Sequence, residues 1–143
     1  GAAALIIGSK QAEKKLGFKP IAKILSSGAM GVEPNIMGVG PVEAIKLALK
    51  RADLTLEDMS VIEINEAFAS QVLGCLKGLD IDFDDKRVNP NGGAIAVGHP
   101  LGASGARIAL STARELQRTG GKYAVVSLCI GIGQGLAMVI ERV

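Results

Sequence analysis

His99 and Cys129 are the residues whose types and surroundings are best suited to proton-transfer chemistry. His99 is the only histidine in the chain, and it lies between Gly98 and Pro100 in a glycine-rich segment. Binding and catalytic residues are concentrated on loops, so this placement favours a functional role. The alternative is a surface or structural histidine, which is the more common role of an isolated histidine. The glycine-rich context favours function here.

Cys129 ends an apolar run over residues 123–129 and is followed by the glycine-rich segment 131–135. A thiol in this position lies beside backbone N–H groups that are not covered by side chains, an arrangement that can form an oxyanion site. Cys75 lies in a helical pattern among Val72, Leu73 and Leu76. The pattern therefore predicts that Cys75 is a core side chain, because a free cysteine packs as a small apolar residue.

Asn65 is a third polar residue in a distinctive position, since it follows the apolar strand pattern of residues 61–64 and precedes a helical pattern. An asparagine at such a junction either caps the following helix or directs its amide at a ligand or water. The residues leave both alternatives open.

Composition argues against several other functions. The 16 basic and 14 acidic residues are interspersed, and the chain has no Trp, one Tyr and three Phe, so neither a basic arm nor a stacking platform for nucleic acid is indicated. With one histidine and two distant cysteines we predict no metal. The loop over residues 98–105 lacks the lysine of a P-loop and the acidic partner of a dinucleotide fold. No stretch reaches the roughly 20 apolar residues of a membrane helix, and the cysteine usage indicates a reducing compartment.

Strand and helix patterns alternate along the chain, which predicts the α/β class. The positive mean hydropathy of +0.35 predicts a surface that another domain or subunit covers. A beginning inside a strand pattern suggests a piece of a longer protein. The predicted strands are residues 3–8, 21–25, 61–64, 123–129 and 136–140, the last two forming a hairpin; the predicted helices are residues 9–16, 41–52, 67–79 and 103–118; a long loop is predicted over residues 27–40.

Three segments resemble the signatures of the thiolase family, in the family's order. They are NEAFA at 65–69, GGAIAVGHPLGASG at 92–105 and CIGIGQG at 129–135, and the similarity extends over essentially the whole chain. The resemblance implies a thiolase-like C-terminal domain of the α/β class, with a mixed central sheet and helices on both faces. It also implies that residues 1–18 are the tail end of the N-terminal half and that residues 19–143 form the C-terminal domain.

The resemblance assigns roles to four of these residues. His99 would be the base that activates a nucleophilic cysteine located in the N-terminal half, and Cys129 would be the second acid/base. Asn65 would hold a water that forms one oxyanion hole together with His99, and the backbone N–H of Gly131 would contribute to the other.

Substrate contacts are also implied, since Met37 and Phe68 match positions that line the acyl and pantetheine channel in relatives. Ile132 stands where many members have glycine, which weakly favours the degradative branch.

The expected reaction is acyl transfer between CoA and acetyl-CoA, either thiolytic cleavage of 3-ketoacyl-CoA or the reverse Claisen condensation, with coenzyme A as substrate and no cofactor. By this resemblance the fragment alone is inactive and needs the N-terminal half with its nucleophile.

The family also implies a homodimer or homotetramer and a place in fatty acid metabolism and β-oxidation. It implies a cytoplasmic location, or a mitochondrial or peroxisomal one in a eukaryote. Neither nucleic acid nor a membrane is expected as a partner.

Two alternative functions differ in chemistry. The related ketoacyl synthases use two histidines, whereas this chain has one, and Cys129 argues against them. A non-catalytic thiolase-like module would bind acyl-CoA or a protein without turning it over.

Overall fold

Strands and helices alternate along most of the chain in the computed structural model, which describes residues 1–143. The strands are β1 (Ala22–Gly31), β2 (Met59–Ile64), β3 (Tyr123–Ile130) and β4 (Gln134–Arg142). The α-helices are α1 (Lys10–Leu16), α2 (Gly40–Ala52), α3 (Ala69–Gly78), α4 (Ala94–Val97) and α5 (Leu101–Thr119), and two 3₁₀ helices cover Pro34–Val39 and Leu56–Asp58.

The four strands form one mixed sheet in the order β1-β4-β3-β2. The short connection between β3 and β4 makes them antiparallel, and β1 pairs antiparallel with the other edge of β4. β2 reaches β3 through the long segment that contains α3, α4 and α5, so these two strands are parallel. The predicted mixed sheet and the predicted C-terminal hairpin are both confirmed.

Helices cover both faces of the sheet, as the sequence predicted. On one face α2 and α3 pack against the strands in a core that contains Ile45, Ile62, Cys75 and Val125. On the other face α5 packs over a smaller cluster of five buried residues: Val61, Ala113, Leu116, Ala124 and Ile140. Burying a valine, leucine or isoleucine side chain stabilises the fold by about 1.5–3 kcal/mol.

Local signals fix several helix ends where the sequence predicted them. Ser9 caps α1 by accepting a hydrogen bond from the backbone N–H of Ala12, and Gly17 ends that helix in the left-handed conformation at φ 71°. Pro41 lies in the first turn of α2, where its missing N–H costs nothing. The helix predicted from residue 67 begins later, at Ala69, and the one predicted from residue 103 begins earlier, at Leu101.

Two predicted elements are wrong. Residues 3–8 do not form a strand, because no neighbouring strand in this chain pairs with them, and a strand needs a partner for its backbone groups. The long loop predicted over residues 27–40 is instead the second half of β1 followed by a 3₁₀ helix, and Ser27–Gly31 pairs with β4. Helix α4 was not predicted at all.

Large apolar side chains remain on the surface at several places. Residues 1–18 contribute no buried side chain, and Ile6, Ile7 and Phe18 are all exposed. A second group of exposed apolar side chains flanks His99 along the chain: Ile95, Val97 and Leu101. This surface agrees with the expected partner surface, although the boundary at residue 18 stays a prediction. No helix has the length and apolar content needed to cross a membrane.

Two glycines bring the start of α2 against the start of β4. A Cβ added to Gly135 would lie 2.1 Å from both the carbonyl carbon and the carbonyl oxygen of Gly40, and a Cβ on Gly40 would lie 2.6 Å from the carbonyl oxygen of Gln134. The obstacle is backbone in both cases, so it cannot rotate away. This approach holds the β3–β4 hairpin against α2.

We expect Gly135→Ala to lower the free energy of unfolding by about 2–3 kcal/mol, because the added methyl group forces two backbone segments apart. Urea unfolding followed by circular dichroism measures the change. Gly131→Ala is the matched control in the same hairpin, since a Cβ there meets no atom within 4 Å. Equal stability of the two variants would contradict the packing described here.

Candidate functional site

Asn65 and Cys129 lie at the same edge of the sheet because β2 and β3 are parallel. Asn65 directly follows β2, and its backbone N–H donates to the carbonyl of Ser127 on β3 at 2.9 Å. Cys129 lies two residues further along β3, near its end. The carboxyl ends of parallel strands are the common location of ligand sites in open α/β sheets.

His99 is brought to this edge by the loop between α4 and α5. Its Nε2 lies 3.2 Å from Asn65 Nδ2, and its Nδ1 lies 2.6 Å from Ser104 Oγ. Ser104 is fully buried in the first turns of α5. The structure therefore brings together Asn65 and His99, which are 34 residues apart in sequence, and adds Ser104, for which no role was predicted.

The hydrogen bonds around His99 assign its neutral tautomer. Ser104 Oγ donates its single proton to the carbonyl of Pro100 at 3.2 Å, so it accepts from Nδ1–H of His99. Nε2 then carries the lone pair and accepts from the amide of Asn65. A neutral imidazole held this way presents Nε2 as a base, and the nitrogen that carries the proton is set by the bond of the other nitrogen.

This assignment predicts that nitrogen NMR of the chain shows a pyridine-type Nε2 and a protonated Nδ1 for neutral His99. The measurement is simple because the chain has only one histidine. Ser104→Ala removes the acceptor of Nδ1–H, so we expect the tautomer preference to weaken. Ser111→Ala is the control, since Ser111 lies on the same helix but donates to Ile108. A protonated Nε2 in the unaltered chain would contradict the assignment.

Asn65 does not cap the following helix, so that alternative is wrong. The N-cap position of α3 is Phe68, and it makes no side-chain capping bond. Asn65 is almost fully buried, and its Oδ1 has no hydrogen-bond partner within the chain. A buried amide oxygen without a partner is costly, so this atom is a site where a water or a ligand group is expected to donate.

Cys129 is partly buried, and burial raises the pKa of its thiol, while a hydrogen bond from its own backbone lowers it less. Its cross-strand neighbour is Gly135, whose side-chain position is occupied by the backbone of Gly40. A raised pKa keeps Cys129 protonated at neutral pH, which suits a group that donates a proton.

Cys75 behaves as the sequence predicted. It is fully buried in the core, its thiol donates to the carbonyl of Gly38 at 3.3 Å, and burial raises its pKa to about 11. A buried thiol with so high a pKa is chemically inert.

We expect iodoacetamide to modify one cysteine of the folded chain, Cys129, with a rate that rises as the pH is raised above neutral because the thiolate is the reactive form. Mass spectrometry of peptides identifies the site. Cys75→Ala should leave the labelling rate unchanged, whereas Cys129→Ala should abolish labelling. Modification of Cys75 under native conditions would show that the core is open.

The turn after Cys129 has a strained backbone. Ile132 has φ 69° and Gly133 has φ 87°, and Ile132 is 86% exposed. A β-branched residue rarely adopts a positive φ, which costs about 1–2 kcal/mol. Gly133 cannot be replaced easily, since a Cβ there would lie 2.2 Å from the carbonyl of Val32. Gly131 begins this turn, and its carbonyl accepts from the side chain of Gln134.

Met37 and Phe68 lie on two segments that pack together. Met37 is in the first 3₁₀ helix and is half-buried, and Phe68 directly precedes α3 and is 65% exposed. The bond from Cys75 to Gly38 joins the two segments. Their place along a substrate channel stays a prediction.

The fold and the site together define an α/β domain that presents a histidine, a cysteine and an asparagine at the carboxyl ends of parallel strands. Histidine and cysteine side chains are groups that can transfer protons. The family model described as "Thiolase, C-terminal domain" matches residues 18–142. The chain therefore belongs to the thiolase family and corresponds to its C-terminal domain.

Related proteins support this assignment. The chain is 57% identical to the β-ketoadipyl-CoA thiolase of Acinetobacter baylyi over 143 residues, which are 100% of the chain and 36% of that protein. The crystal structure of human mitochondrial 3-ketoacyl-CoA thiolase superposes with a TM-score of 0.90 at 53% identity, over 94% of this chain and 34% of that one. A further crystal structure of the human enzyme, in complex with CoA, matches with the same TM-score of 0.90 at 52% identity, over the same shares of 94% and 34%. The chain thus spans about a third of the length of these relatives.

Proposed function

We propose that this domain supplies the acid/base groups of a thiolase that cleaves 3-ketoacyl-CoA with CoA, or runs the reverse Claisen condensation. The observation that carries the proposal is the contact between Asn65 and His99 at the edge of the sheet where Cys129 lies near the end of β3. The nucleophilic cysteine belongs, by family resemblance, to the part of the enzyme outside this chain.

His99 acts first in the proposed cleavage. Its Nε2 gives up the hydrogen bond that it accepts from Asn65 and takes the proton of the nucleophilic thiol, and the thiolate attacks the keto carbon of the substrate. The bond between that carbon and the neighbouring methylene then breaks, which leaves the shortened acyl group on the cysteine. The electron pair leaves as the enolate of acetyl-CoA.

Cys129 completes the cleavage by donating its thiol proton to the methylene carbon, which gives acetyl-CoA. Its raised pKa keeps that proton in place until the carbanion forms. In the second half of the reaction Cys129 thiolate takes the proton of an incoming CoA thiol, whose sulfur attacks the acyl-enzyme. Acyl-CoA leaves, and the nucleophilic thiolate regains its proton from His99.

Two sets of donors would stabilise the oxygen that gains negative charge. A water that donates one hydrogen to Asn65 Oδ1 can donate its second hydrogen to the substrate oxygen. Once His99 has taken the thiol proton, its Nε2–H can donate to the same substrate oxygen. The backbone N–H of Gly131 is proposed for the second oxyanion hole. Loss of one such donor typically raises the barrier by about 3 kcal/mol.

The substrate is proposed to be a CoA thioester that enters past Met37 and Phe68, with coenzyme A as co-substrate and no cofactor. The Acinetobacter relative makes β-ketoadipyl-CoA the first substrate to test beside acetoacetyl-CoA. The exposed apolar side chains near His99 are proposed to lie against the rest of the enzyme. A homodimer or homotetramer, a cytoplasmic location and a role in β-oxidation belong to the same proposal.

Thiolysis, followed by loss of the enolate absorbance of the 3-ketoacyl-CoA, tests the function. We expect activity from the full-length enzyme and none from this chain alone, which lacks the nucleophile. His99→Ala and Cys129→Ala in the full-length enzyme should each lower kcat/KM by at least about 100-fold, because each removes a proton-transfer group. Asn65→Ala should cost about 100-fold through the oxyanion hole.

Cys75→Ala is the matched control, since it removes a thiol that lies in the core. It should keep kcat within about a factor of two, provided that the enzyme folds. A full-length enzyme that binds acyl-CoA without turnover, or full activity in the His99 and Cys129 variants, would contradict the proposal and favour the non-catalytic binding module.

A further inference from the structure

The side chain of Glu66 joins three separate segments of the chain. Its Oε1 accepts from Asn89 Nδ2 at 2.9 Å, and its Oε2 accepts from the backbone N–H of Ile95 at 2.9 Å. Glu66 itself follows Asn65, the residue that contacts His99. One carboxylate therefore connects the residues that follow β2, the segment between α3 and α4, and the first turn of α4.

Asn89 fixes the other end of this connection. Its Oδ1 accepts from the backbone N–H of Ile64 at 2.9 Å, and its Nδ2 donates to the carbonyl of Ile64 at 3.0 Å as well as to Glu66. The amide thus pairs with both backbone groups of one strand residue. Glu66 and Asn89 hold each other against the end of β2.

Gly93 completes the arrangement, because the carboxylate lies where its side chain would be. A Cβ at Gly93 would lie 2.1 Å from the carboxyl carbon of Glu66 and 2.4 Å from each of its oxygens. The backbone of Gly93, at φ −113° and ψ −160°, is an extended conformation that other residues adopt. Glycine is therefore required at this position by Glu66 and not by the backbone. We call Glu66, Asn89 and Gly93 the Glu66 brace.

The brace lies directly upstream of His99. Helix α4 is a single turn, closed by the bond from Gly98 N–H to the carbonyl of Ala94 at 2.8 Å, and His99 is the next residue. Because this one turn joins Ile95 to His99, a shift of Ile95 would also move the imidazole ring. Asn65 touches the ring at Nε2, and its neighbour Glu66 holds the turn that carries the ring.

We propose that Glu66 is a positioning residue that holds His99 against Asn65, and that glycine is needed at residue 93 to leave room for the carboxylate of Glu66. This inference rests on the proposed function for its effect on catalysis. Glu66 does not touch the reacting atoms in this scheme; it acts through the backbone of α4. A displacement of about 1 Å at a reacting group can cost on the order of 100-fold in rate.

A double-mutant cycle in the full-length enzyme tests the proposal. Gly93→Ala should expel the carboxylate and lower kcat by about 10- to 100-fold, and Glu66→Ala should do the same, with KM for the acyl-CoA within about threefold in both. The double variant should be no worse than Glu66→Ala, because the methyl group then meets no carboxylate. Multiplied losses in the double variant, or wild-type kcat in Glu66→Ala, would overturn the proposal.

Two further variants test whether the loss of kcat is specific to the carboxylate of Glu66. Glu66→Gln keeps one acceptor and should retain more kcat than Glu66→Ala, since it can serve either Asn89 or Ile95. Glu43→Ala is the matched control: Glu43 is an exposed glutamate on α2 whose only ion pair is with Lys46. It should leave kcat unchanged.

Hydrogen exchange of the full-length enzyme separates this proposal from the proposed function. Peptides covering residues 93–99 should exchange at least about tenfold faster in Glu66→Ala and Gly93→Ala, whereas peptides of β3 and β4 should not change. An inactive parent that shows these changes would overturn the thiolase function but support the brace. An active parent whose variants exchange like the unaltered enzyme would overturn the brace alone.

Discussion

The candidate site depends on the parallel pairing of β2 with β3. This pairing sets the end of one strand, with Asn65, beside the end of the other, with Cys129, because the register aligns Ile64 with Ser127. An antiparallel arrangement would place the two residues at opposite ends of the sheet. The crossover that makes β2 and β3 parallel is also the segment that contains His99, so one connection supplies both the geometry and the third group.

His99 itself gains no support from the sheet ladder. Its ring is held by side chains from three places: Ser104 on α5 at Nδ1, Asn65 at Nε2, and Glu66 through the turn before it. The two partners that touch the ring, Ser104 and Asn65, are buried, so an unmet polar group there would be costly. The imidazole is therefore fixed by polar contacts although the surface around it is apolar and open.

The parts of the fold that could be predicted are those with local signals. Ser9, Gly17 and Pro41 mark helix ends through their own backbone chemistry, and the apolar runs of β2 and β3 are long enough to stand out. The pattern over residues 3–8 is equally apolar and was misleading, because a strand is completed only by a partner. Ser27–Gly31 was missed for the opposite reason: its residues favour turns, and pairing with β4 overrides them.

The candidate site divides in the same way. His99, Cys129 and Asn65 could be identified from their signatures, and their roles remain predictions. Ser104 and Glu66 lie inside those signatures, yet their bonds to the ring and to α4 arise from contacts that no spacing rule specifies. The glycine at residue 93 is explained only when the carboxylate beside it is seen.

Asn89 also covers one edge of the sheet. β2 is an edge strand, and an uncovered edge offers N–H and carbonyl groups to which another chain can add. Here the outer edge is occupied: Ile62 bonds to the backbone of Arg87 and Asn89, and Ile64 bonds to the amide of Asn89. The outer edge of β2 is therefore bonded by two backbone hydrogen bonds at Ile62 and by the side-chain amide of Asn89 at Ile64. The same residue that steadies the histidine segment closes this edge of the sheet to self-association.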